Sequence, residues 1–531
     1  MYDLILRDAQ IIDGKCTQSF NGDIAVSDGI IQEIAPAISA AAARELFLDG
    51  NIAAPGFIDI HTHSEMVPFV RQTRPRSKLF QGVTTEIVGN CGISSFPLSD
   101  KFYQEICDFY YAVVPNSVES IPLTDYNTRQ YAAHLMRSTP CTNYGVLIGH
   151  GTLRGSVMGF GMASPTGEQL CEMEAVLDRE LSMGAFGMSL GLIYPPSSFS
   201  QQEELIALAK VLRRHDAILA VHMRNEGPGV FQAVDEMLGV ARLSGVRLQI
   251  SHLKLMGKQQ WGRSAALLQK IECARSTGVQ VTCDQYPYPA SSTGLSALAP
   301  DWALDGGVRA LIKRLQAPSP QLLSDIEAEM ERRGGADCVM IVSTHGVRRD
   351  AEGKTLAQLA AAHRTTAQQQ AVQLLLACEG AVNCIYFSMD QKDVNTIMRD
   401  LNIAVASDGG SYAYDEQTRK NRLHPRNFGT FPRFFQTVRE QKLLTPEQAV
   451  YKVSGLPAKI LGLPDRGVLE VGKIADLTIF NWSEIADRCT YLEPVVKPKG
   501  ILHVLVRGVP VLENGLETGA CPGSILLHQV P

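Results

Sequence analysis

Between about residue 55 and residue 463, short apolar segments alternate with stretches of helical periodicity, and this alternation constrains the fold more than any other feature of the sequence. Each helical stretch is long enough to cross over between two parallel strands. Roughly seven or eight such units predict an α/β protein built on a (β/α)₈ barrel, with a doubly wound open sheet as the structural alternative. The strand candidates are residues 144–148, 217–222, 248–252, 279–283, 338–342, 384–387 and 403–406, and the helical candidates are 166–183, 201–215, 229–244 and 265–278.

The two ends of the chain have a different pattern. Residues 1–54 alternate apolar and polar positions over short segments separated by turns, and the same style returns in residues 464–531. Each end supplies only a few strands, so we expect both to combine into one small β-sandwich domain beside the barrel, which takes residues 55–463. A segment of about 286–345 interrupts the barrel rhythm with prolines, serines and a helical stretch, and predicts an inserted lid over the barrel rim.

Composition limits the classes of partner. The formal charge of −6 is small for 531 residues and no dense cluster of lysine and arginine occurs, which argues against nucleic acid and acidic membrane surfaces as partners. No apolar run approaches the roughly 20 residues of a membrane span, and the first residues lack the features of a signal peptide. We therefore expect a cytoplasmic protein that acts on a small molecule, with a homo-oligomer left open. The 12 cysteines form no CxxC pair, which argues against a zinc ribbon or a disulfide framework.

A His-x-His pair ends the first barrel segment. His61 and His63 close the run from Ala54, and on an extended strand their imidazoles leave the same face. That spacing suits two ligands of one metal ion, because imidazole is a good zinc ligand and a strand end holds it rigidly. Two unrelated histidines on a half-buried strand are the alternative for this pair taken alone.

Further polar residues fall at the predicted ends of other strands. His222 and His252 close apolar segments, while Cys91 and Asp408 follow them. Active sites of β/α barrels lie on the rim at the carboxyl ends of the strands. Each residue has an ordinary structural explanation by itself, such as a hydrogen-bonded histidine, a buried thiol or an aspartate in a turn. Together with the His-x-His pair they predict a site for one or two zinc ions.

Several segments resemble, in order along the chain, the amidohydrolase superfamily of metal-dependent hydrolases and, more specifically, the N-acyl-D-amino-acid deacylases, or D-aminoacylases. The resemblance extends from about residue 1 to residue 480, and the segments Asn90-Cys-Gly and His424-Pro-Arg distinguish this family from the rest of the superfamily. The stretch between Asp408 and His424 is longer than in the simplest members, which leaves the preferred side chain open. The other matching segments are 55–63, 82–92, 222–226, 251–254, 284–288, 407–409 and 467–477.

The resemblance implies a metal site of known composition. It implies one tightly held zinc ion on Cys91, His222 and His252, and a second, weaker metal position on His61, His63 and Asp408. The commoner superfamily pattern bridges two metals with a carboxylated lysine. No lysine stands at the matching strand here, whereas Cys91 is present, which favours the D-aminoacylase branch over hydantoinases and dihydroorotases.

The resemblance also implies how substrate is held. Lys254 and Arg426 would bind the substrate carboxylate, and Tyr286 and Ser292 are weaker members of the same group. Two cations can anchor an α-carboxylate, and a planar guanidinium can do so through two parallel hydrogen bonds. Reversing the configuration of the substrate would then move its amide away from the metal.

The expected reaction is zinc-dependent hydrolysis of an N-acyl-D-amino acid to a carboxylate and a free D-amino acid. Asp408 is the expected general base that takes a proton from water and delivers it to the leaving amine. A cyclic amidase of the hydantoinase or dihydroorotase kind is the main alternative, and a non-catalytic scaffold is a second one. The preferred side chain, the acyl group, the number of metals and the oligomeric state are left open by the sequence.

Overall fold

The structure, a computed structural model, describes residues 1–69, 75–113 and 126–529. The strands are β1 (Tyr2–Ile11), β2 (Phe20–Ser27), β3 (Ile30–Ala35), β4 (Ala42–Phe47), β5 (Ile52–Pro55), β6 (Phe57–Asp59), β7 (Val83–Val88), β8 (Asn143–Gly149), β9 (Gly187–Gly191), β10 (Ile218–His222), β11 (Arg247–Ile250), β12 (Val281–Gln285), β13 (Ser291–Gly294), β14 (Val339–Ser343), β15 (Asn383–Tyr386), β16 (Ile403–Val405), β17 (Leu477–Phe480), β18 (Ile501–Val506), β19 (Val509–Glu513) and β20 (Leu516–Glu517).

Helices of the described residues alternate with these strands. They are α1 (Tyr103–Val113), α2 (Thr128–Arg137), α3 (His150–Met158), α4 (Gly167–Ser182), α5 (Gln202–Arg214), α6 (Val230–Ser244), α7 (Ser264–Ser276), α8 (Gly307–Leu315), α9 (Pro320–Arg332), α10 (Leu356–His363), α11 (Ala367–Ala377), α12 (Gln391–Met398), α13 (Glu416–Arg419), α14 (Arg426–Gln441), α15 (Pro446–Val453) and α16 (Gly455–Leu461). The four crossover helices predicted from periodicity are confirmed as α4 to α7, with ends that agree within one or two residues. None of the helices described is both long and apolar enough to cross a membrane.

The centre of the molecule is a parallel eight-stranded barrel in the order β16-β12-β11-β10-β9-β8-β7-β6. The barrel closes just beyond the ends of β6 and β16. There the amide of Asp408 donates to the carbonyl of His61 over 2.9 Å, and the amide of His63 donates to the carbonyl of Gly409 over 3.1 Å. The predicted barrel is confirmed, and the doubly wound alternative is wrong.

Two of the strands expected in the barrel lie elsewhere. Residues 338–342 and 384–387 contribute to β14 and β15, which form a three-stranded antiparallel sheet with β13 outside the barrel. Strands β6 and β7, which lead to the His-x-His pair and to Cys91 as expected, complete the barrel together with β9. Short apolar runs look alike in a parallel and an antiparallel sheet, so periodicity alone could not distinguish them. The inserted unit between β12 and β16 therefore extends through Tyr386, beyond the expected limit near residue 345.

The two ends of the chain meet in one nine-stranded sheet. Its path is β20-β19-β18-β17-β5-β1-β2-β3, with β4 paired to β1. The junction is the antiparallel pairing of β5 with β17, and β5 continues through Gly56 directly into the first barrel strand. The alternating pattern of residues 464–531 does not become strand throughout, since residues 467–470 and 524–527 form none, although Ile525 makes an isolated bridge with Tyr144. This sheet therefore fixes the entry of the chain into the barrel.

Apolar side chains fill the barrel and close its lower end. The interior cluster includes Ile58, Ile87, Leu147 and Ala404, all of them buried. Leu456 and Leu461 of α16 pack against the same cluster, so this helix covers the end of the barrel opposite the carboxyl ends of the strands. The rim at the carboxyl ends of the strands is thereby left for a functional site.

The cysteines differ from expectation at one pair. The structure joins Cys141 and Cys521 in a disulfide across 380 residues of sequence, and leaves the other ten thiols free. Such a pair depends on tertiary proximity of two distant segments, which spacing along the chain does not reveal. It links the start of β8 to the segment after β20.

One buried cation in the fold generates a stability prediction. Lys452 of α15 is 1% exposed beside Ile403, Val405 and Phe434, and its ammonium group donates to the carbonyl of Asp400. Burial lowers its pKa to about 7, so folding disfavours the charged lysine. Below pH 7 the folded state carries the full penalty, which fades as pH rises toward the ordinary lysine pKa.

We therefore expect Lys452→Met to raise the melting temperature at pH 6 by several degrees, and to raise it much less at pH 9.5. Each unit by which burial lowers the lysine pKa corresponds to about 1.4 kcal/mol of destabilisation, which the substitution removes. Loss of the hydrogen bond to Asp400 subtracts about 1 kcal/mol from the total gain. Scanning calorimetry at the two pH values measures the difference. Lys459→Met, at an exposed position of the neighbouring helix, is the control and should change little at either pH. An equal gain at both pH values would contradict the assignment.

Candidate metal centre and substrate pocket

The six predicted metal ligands converge at the carboxyl-end rim of the barrel. The potential ligand atoms form two groups, and within each group all the atoms lie within 4.8 Å of one another. Both groups contain the Cys91 thiol. One group adds His222 and His252, and the other adds His61, His63 and Asp408. The ligands are arranged around the rim in the order of the strands. His61 and His63 follow the same strand, and each of the other four ends or follows a strand of its own.

The thiol stands between the two groups. Cys91 Sγ lies 3.3 Å from His61 Nε2 and 3.5 Å from His252 Nε2. Asp408 Oδ1 lies 3.2 Å from His63 Nε2 and 3.3 Å from His61 Nε2. All these residues are buried except His63, whose side chain is 19% exposed. His63 is therefore the most solvent-accessible of the six residues.

The backbone at three of these positions is unusual. Cys91, His252 and Asp408 have φ angles of 53°, 36° and 50°, a left-handed conformation that costs a residue with a side chain about 1–3 kcal/mol. Each lies within three residues after a barrel strand, where the turn aims the side chain inward. Gly191 makes room for the first turn, because a Cβ there would overlap the carbonyl oxygen of Cys91.

Unpaired polar atoms fit this set of residues to a metal. Three buried ring nitrogens of this set make no hydrogen bond to any residue in the described part of the chain. They are both nitrogens of His222 and Nδ1 of His61. A buried polar atom without a partner costs free energy that coordination would recover. One thiol with imidazoles is a donor set that zinc prefers. The residues present therefore fit a zinc ion.

The charges around the thiol support the same conclusion. Burial raises the pKa of the Cys91 thiol, but the charge of His61 and the adjacent rings of His222 and His252 outweigh this and hold the pKa well below its usual value. The thiolate is the form that binds metal.

Two carboxylates that sequence reasoning did not assign orient the histidines. Glu226 Oε1 lies 3.0 Å from His252 Nδ1 and accepts from Lys254 Nζ over 2.5 Å. Asp284 Oδ1 accepts from the His252 amide over 2.7 Å and lies 3.5 Å from His61 Nδ1. Carboxylates behind metal-binding histidines fix ring orientation. Both lie in segments that match the family, which was the only signal available for them.

Asp408 is tied to Arg426. Arg426 Nη1 donates to Asp408 Oδ2 over 2.6 Å, which leaves Oδ1 facing His61 and His63. Burial raises the pKa of Asp408, but Arg426, His252 and His61 outweigh that effect and hold it well below its usual value. The group is therefore a carboxylate in the folded protein.

The predicted carboxylate-binding residues line one pocket beside the ligands. The ring of Tyr286 lies between two cations, 5.6 Å from Lys254 Nζ and 5.2 Å from the Arg426 guanidinium. Its buried hydroxyl makes no hydrogen bond to any residue that the structure describes. Ser292 also lines the pocket, but its hydroxyl donates to the carbonyl of Cys384 and its own carbonyl accepts from Arg426 Nη2 over 3.3 Å. Ser292 thus positions Arg426 through the backbone.

His424 holds the start of α14, from which Arg426 projects. Its Nδ1 accepts from the amide of Arg426 over 3.0 Å, and its Nε2 donates to the carbonyl of Ala290 over 3.0 Å. Burial first, and then Arg426, lower the pKa of His424 well below the usual value, so the ring is neutral and can accept that bond. The His-Pro-Arg segment thus joins α14 to the inserted unit.

Asp59 and Glu86 lie behind the site and bond to other protein groups. Asp59 accepts from Lys78 Nζ over 2.7 Å and from the amide of Ser407 over 2.9 Å. Glu86 accepts from Ser64 and Thr142. Lys78 is thereby engaged away from the ligand atoms.

A parallel barrel with thiol, imidazole and carboxylate ligands on its carboxyl-end rim defines a metal-dependent hydrolase of the amidohydrolase type. The model of the amidohydrolase family matches residues 48–323 and 411–512. An N-acyl-D-glutamate deacylase of Alcaligenes xylosoxydans xylosoxydans is 34% identical over 99% of this chain and 96% of its own. A D-aminoacylase of the same organism is 33% identical over 99% of this chain and 97% of its own.

A solved structure agrees with these relatives. The N-acyl-D-glutamate deacylase of Bordetella bronchiseptica, complexed with zinc and a phosphonate inhibitor that mimics the tetrahedral intermediate, superposes with a TM-score of 0.82 at 32% identity and covers 99% of each chain. The chain belongs to the N-acyl-D-amino-acid deacylase, or D-aminoacylase, family of the amidohydrolases.

The geometry predicts which substitutions remove metal. His222 belongs only to the group with Cys91 and His252, and His63 only to the group with Asp408. After exhaustive dialysis against metal-free buffer, we expect His222→Ala to lose most of its zinc and His63→Ala to keep one equivalent. Mass spectrometry of the metal content measures both. His150→Ala removes a buried histidine that bonds to Glu204 and belongs to neither ligand group, and so controls for loss of a buried imidazole. Equal zinc retention by all three variants would contradict the two-group arrangement.

Proposed function

We propose that the protein hydrolyses the amide bond of N-acyl-D-amino acids, with release of a carboxylate and a free D-amino acid. The observation that carries the proposal is the position of Tyr286 between two cations, next to a thiol-containing ligand cluster. A substrate α-carboxylate bound there lies close enough to the ligand cluster for the neighbouring acyl amide to reach it.

We infer that Cys91, His222 and His252 hold a zinc ion, with His61, His63 and Asp408 as a weaker second position. Zinc bound there would lower the pKa of a water molecule to roughly 7 and polarise the amide carbonyl. The group of Cys91, His222 and His252 is assigned the tight site because all three residues are buried. In the other group, His63 is partly exposed.

Asp408 is the proposed general base. Its Oδ2 atom is held by Arg426, so Oδ1, which faces His61 and His63 at the ligand cluster, is the atom placed to take the proton of the attacking water. The same atom then delivers the proton to the amide nitrogen, because the carbon-nitrogen bond breaks only when the amine leaves protonated. The ion pair with Arg426 fixes the carboxylate in the pocket throughout both steps.

Lys254, Arg426 and Tyr286 are the proposed anchors for the α-carboxylate. The two cations supply charge, and the Tyr286 hydroxyl supplies a donor that no described residue uses. Fixing the carboxylate and the amide leaves one direction for the side chain, so the anchors select a configuration. The cyclic amidase alternative lacks a reason for this carboxylate clamp, and a scaffold lacks a reason for the unpaired ligand atoms. A cytoplasmic location stays a prediction.

The first experiment is release of free amine from matched N-acetyl-D- and N-acetyl-L-amino acids by the zinc-loaded protein. We expect turnover of D-substrates and at least about 100-fold slower turnover of their L-enantiomers, because inversion displaces the amide from the cluster. Hydantoin and dihydroorotate in the same panel test the cyclic alternative. Comparable rates with cyclic amides, or turnover of the L-series, would overturn the proposal.

A pair of tyrosine variants tests the clamp. Tyr286→Phe should raise KM by about 10-fold, through loss of one hydrogen bond to a charged group, with an unchanged melting temperature. Tyr288→Phe is the matched control, since the Tyr288 hydroxyl donates to Asp487 over 2.9 Å and its loss should lower stability while KM stays the same. Steady-state kinetics and thermal melting measure both. If Tyr286→Phe leaves KM unchanged, the hydroxyl does not bind the carboxylate.

A further inference from the structure

The pocket continues beyond the carboxylate clamp toward the inserted unit. Tyr194 marks the passage, with its ring centroid 5.4 Å from that of His222 and its hydroxyl 2.7 Å from the Thr293 hydroxyl. Past these two residues the lining includes Val342 and Arg333. Arg333 directly follows α9, so this guanidinium comes from the inserted unit and not from the barrel.

The guanidinium of Arg333 is held on three sides. Its Nε donates to Glu329 Oε1 over 2.9 Å, and its Nη2 donates to the carbonyl of Ala297 over 3.3 Å. The group lies 4.8 Å from the centre of the Tyr386 ring. Its Nη1 makes no hydrogen bond to any residue of the described ranges, and the side chain is 9% exposed at the pocket wall. One donor group is therefore left for a ligand.

Arg426, which also lines the pocket, has the same arrangement. It pairs with a carboxylate, donates to one backbone carbonyl and lies over the ring of Tyr286. In both arginines the acidic partner holds the planar group in place and leaves N–H donors over. An ion pair with a protein carboxylate thus does not prevent either guanidinium from binding a second anion.

We propose that Arg333 binds a carboxylate in the substrate side chain, so that the preferred substrates are N-acyl derivatives of acidic D-amino acids. The inference rests on the proposed function, which places the α-carboxylate at Arg426 and the amide at the ligand cluster. The D-side chain then occupies the remaining space past Tyr194. An apolar side chain there would cover Arg333 Nη1 and leave it without water or partner, which is unfavourable.

The test compares N-acetyl-D-glutamate with N-acetyl-D-glutamine, which has the same shape without the charge. For the zinc-loaded wild type we expect kcat/KM to be about 10- to 100-fold higher with the glutamate derivative. Arg333→Met should bring this ratio close to one, mainly through KM, and Arg333→Lys should keep part of it. The ratio is independent of the fraction of folded enzyme, since both substrates meet the same preparation.

Arg332→Met is the matched control. Arg332 is adjacent, lies 2.5 Å from Glu329 and is 52% exposed, but it does not line the pocket. Its loss should leave the ratio as in the wild type. N-acetyl-D-aspartate, with a shorter side chain, belongs in the same panel, because it shows whether the acid must reach as far as glutamate does.

The outcomes separate the two proposals. Turnover of D-substrates with no preference for acids, or a preference that survives in Arg333→Met, would overturn the assignment of Arg333 alone. A variant that instead loses activity only on N-succinyl-D-leucine would mean that the arginine contacts the acyl group, which also overturns it. If no N-acetyl-D-amino acid is hydrolysed, the proposed function fails and the inference fails with it.

Discussion

The closure of the barrel between its first and last strands is the contact on which the whole site depends. β6 and β16 begin 346 residues apart in the sequence, and they meet through two backbone hydrogen bonds just past their ends. Three of the four residues in those bonds, His61, His63 and Asp408, are themselves candidate ligands. The amide of Asp408 and the carbonyl of His61 share one of these bonds, so the carboxylate and the imidazole are placed by the same bond that closes the fold.

Electrostatic pairing is the second constraint on the site. Each cation near the pocket has a carboxylate partner: Lys254 has Glu226, Arg426 has Asp408 and Arg333 has Glu329. Isolated charges at this depth would be too costly to bury, and a paired charge is also held in one orientation. The pairs therefore explain how a buried pocket can contain several cations and still leave N–H groups for anions.

Much of the barrel and the ligand set could be predicted because they depend on local patterns. Strand-end histidines and crossover helices repeat along the chain, and a barrel places every strand end on one rim. Glu226 and Asp284 were not assigned, because a carboxylate behind a histidine has no spacing of its own. Arg333 was missed for a related reason. It looks like the last turn of an exposed helix, and only the tertiary position of α9 turns it toward the pocket.

The strands assigned to the wrong sheet show where the fold divides its roles. Residues of β14 and β15 are as apolar as those of barrel strands, yet together with the polar β13 they build a separate sheet that supplies Ser292 and Val342 to the pocket. The ligand cluster, in contrast, comes entirely from barrel ends. A change in the inserted unit can therefore alter the far wall of the pocket without moving a metal ligand. His424 and Arg426 connect the two parts, since His424 bonds the inserted unit through Ala290 while Arg426 bonds the barrel through Asp408. Substrate selection and bond cleavage meet at that one short segment.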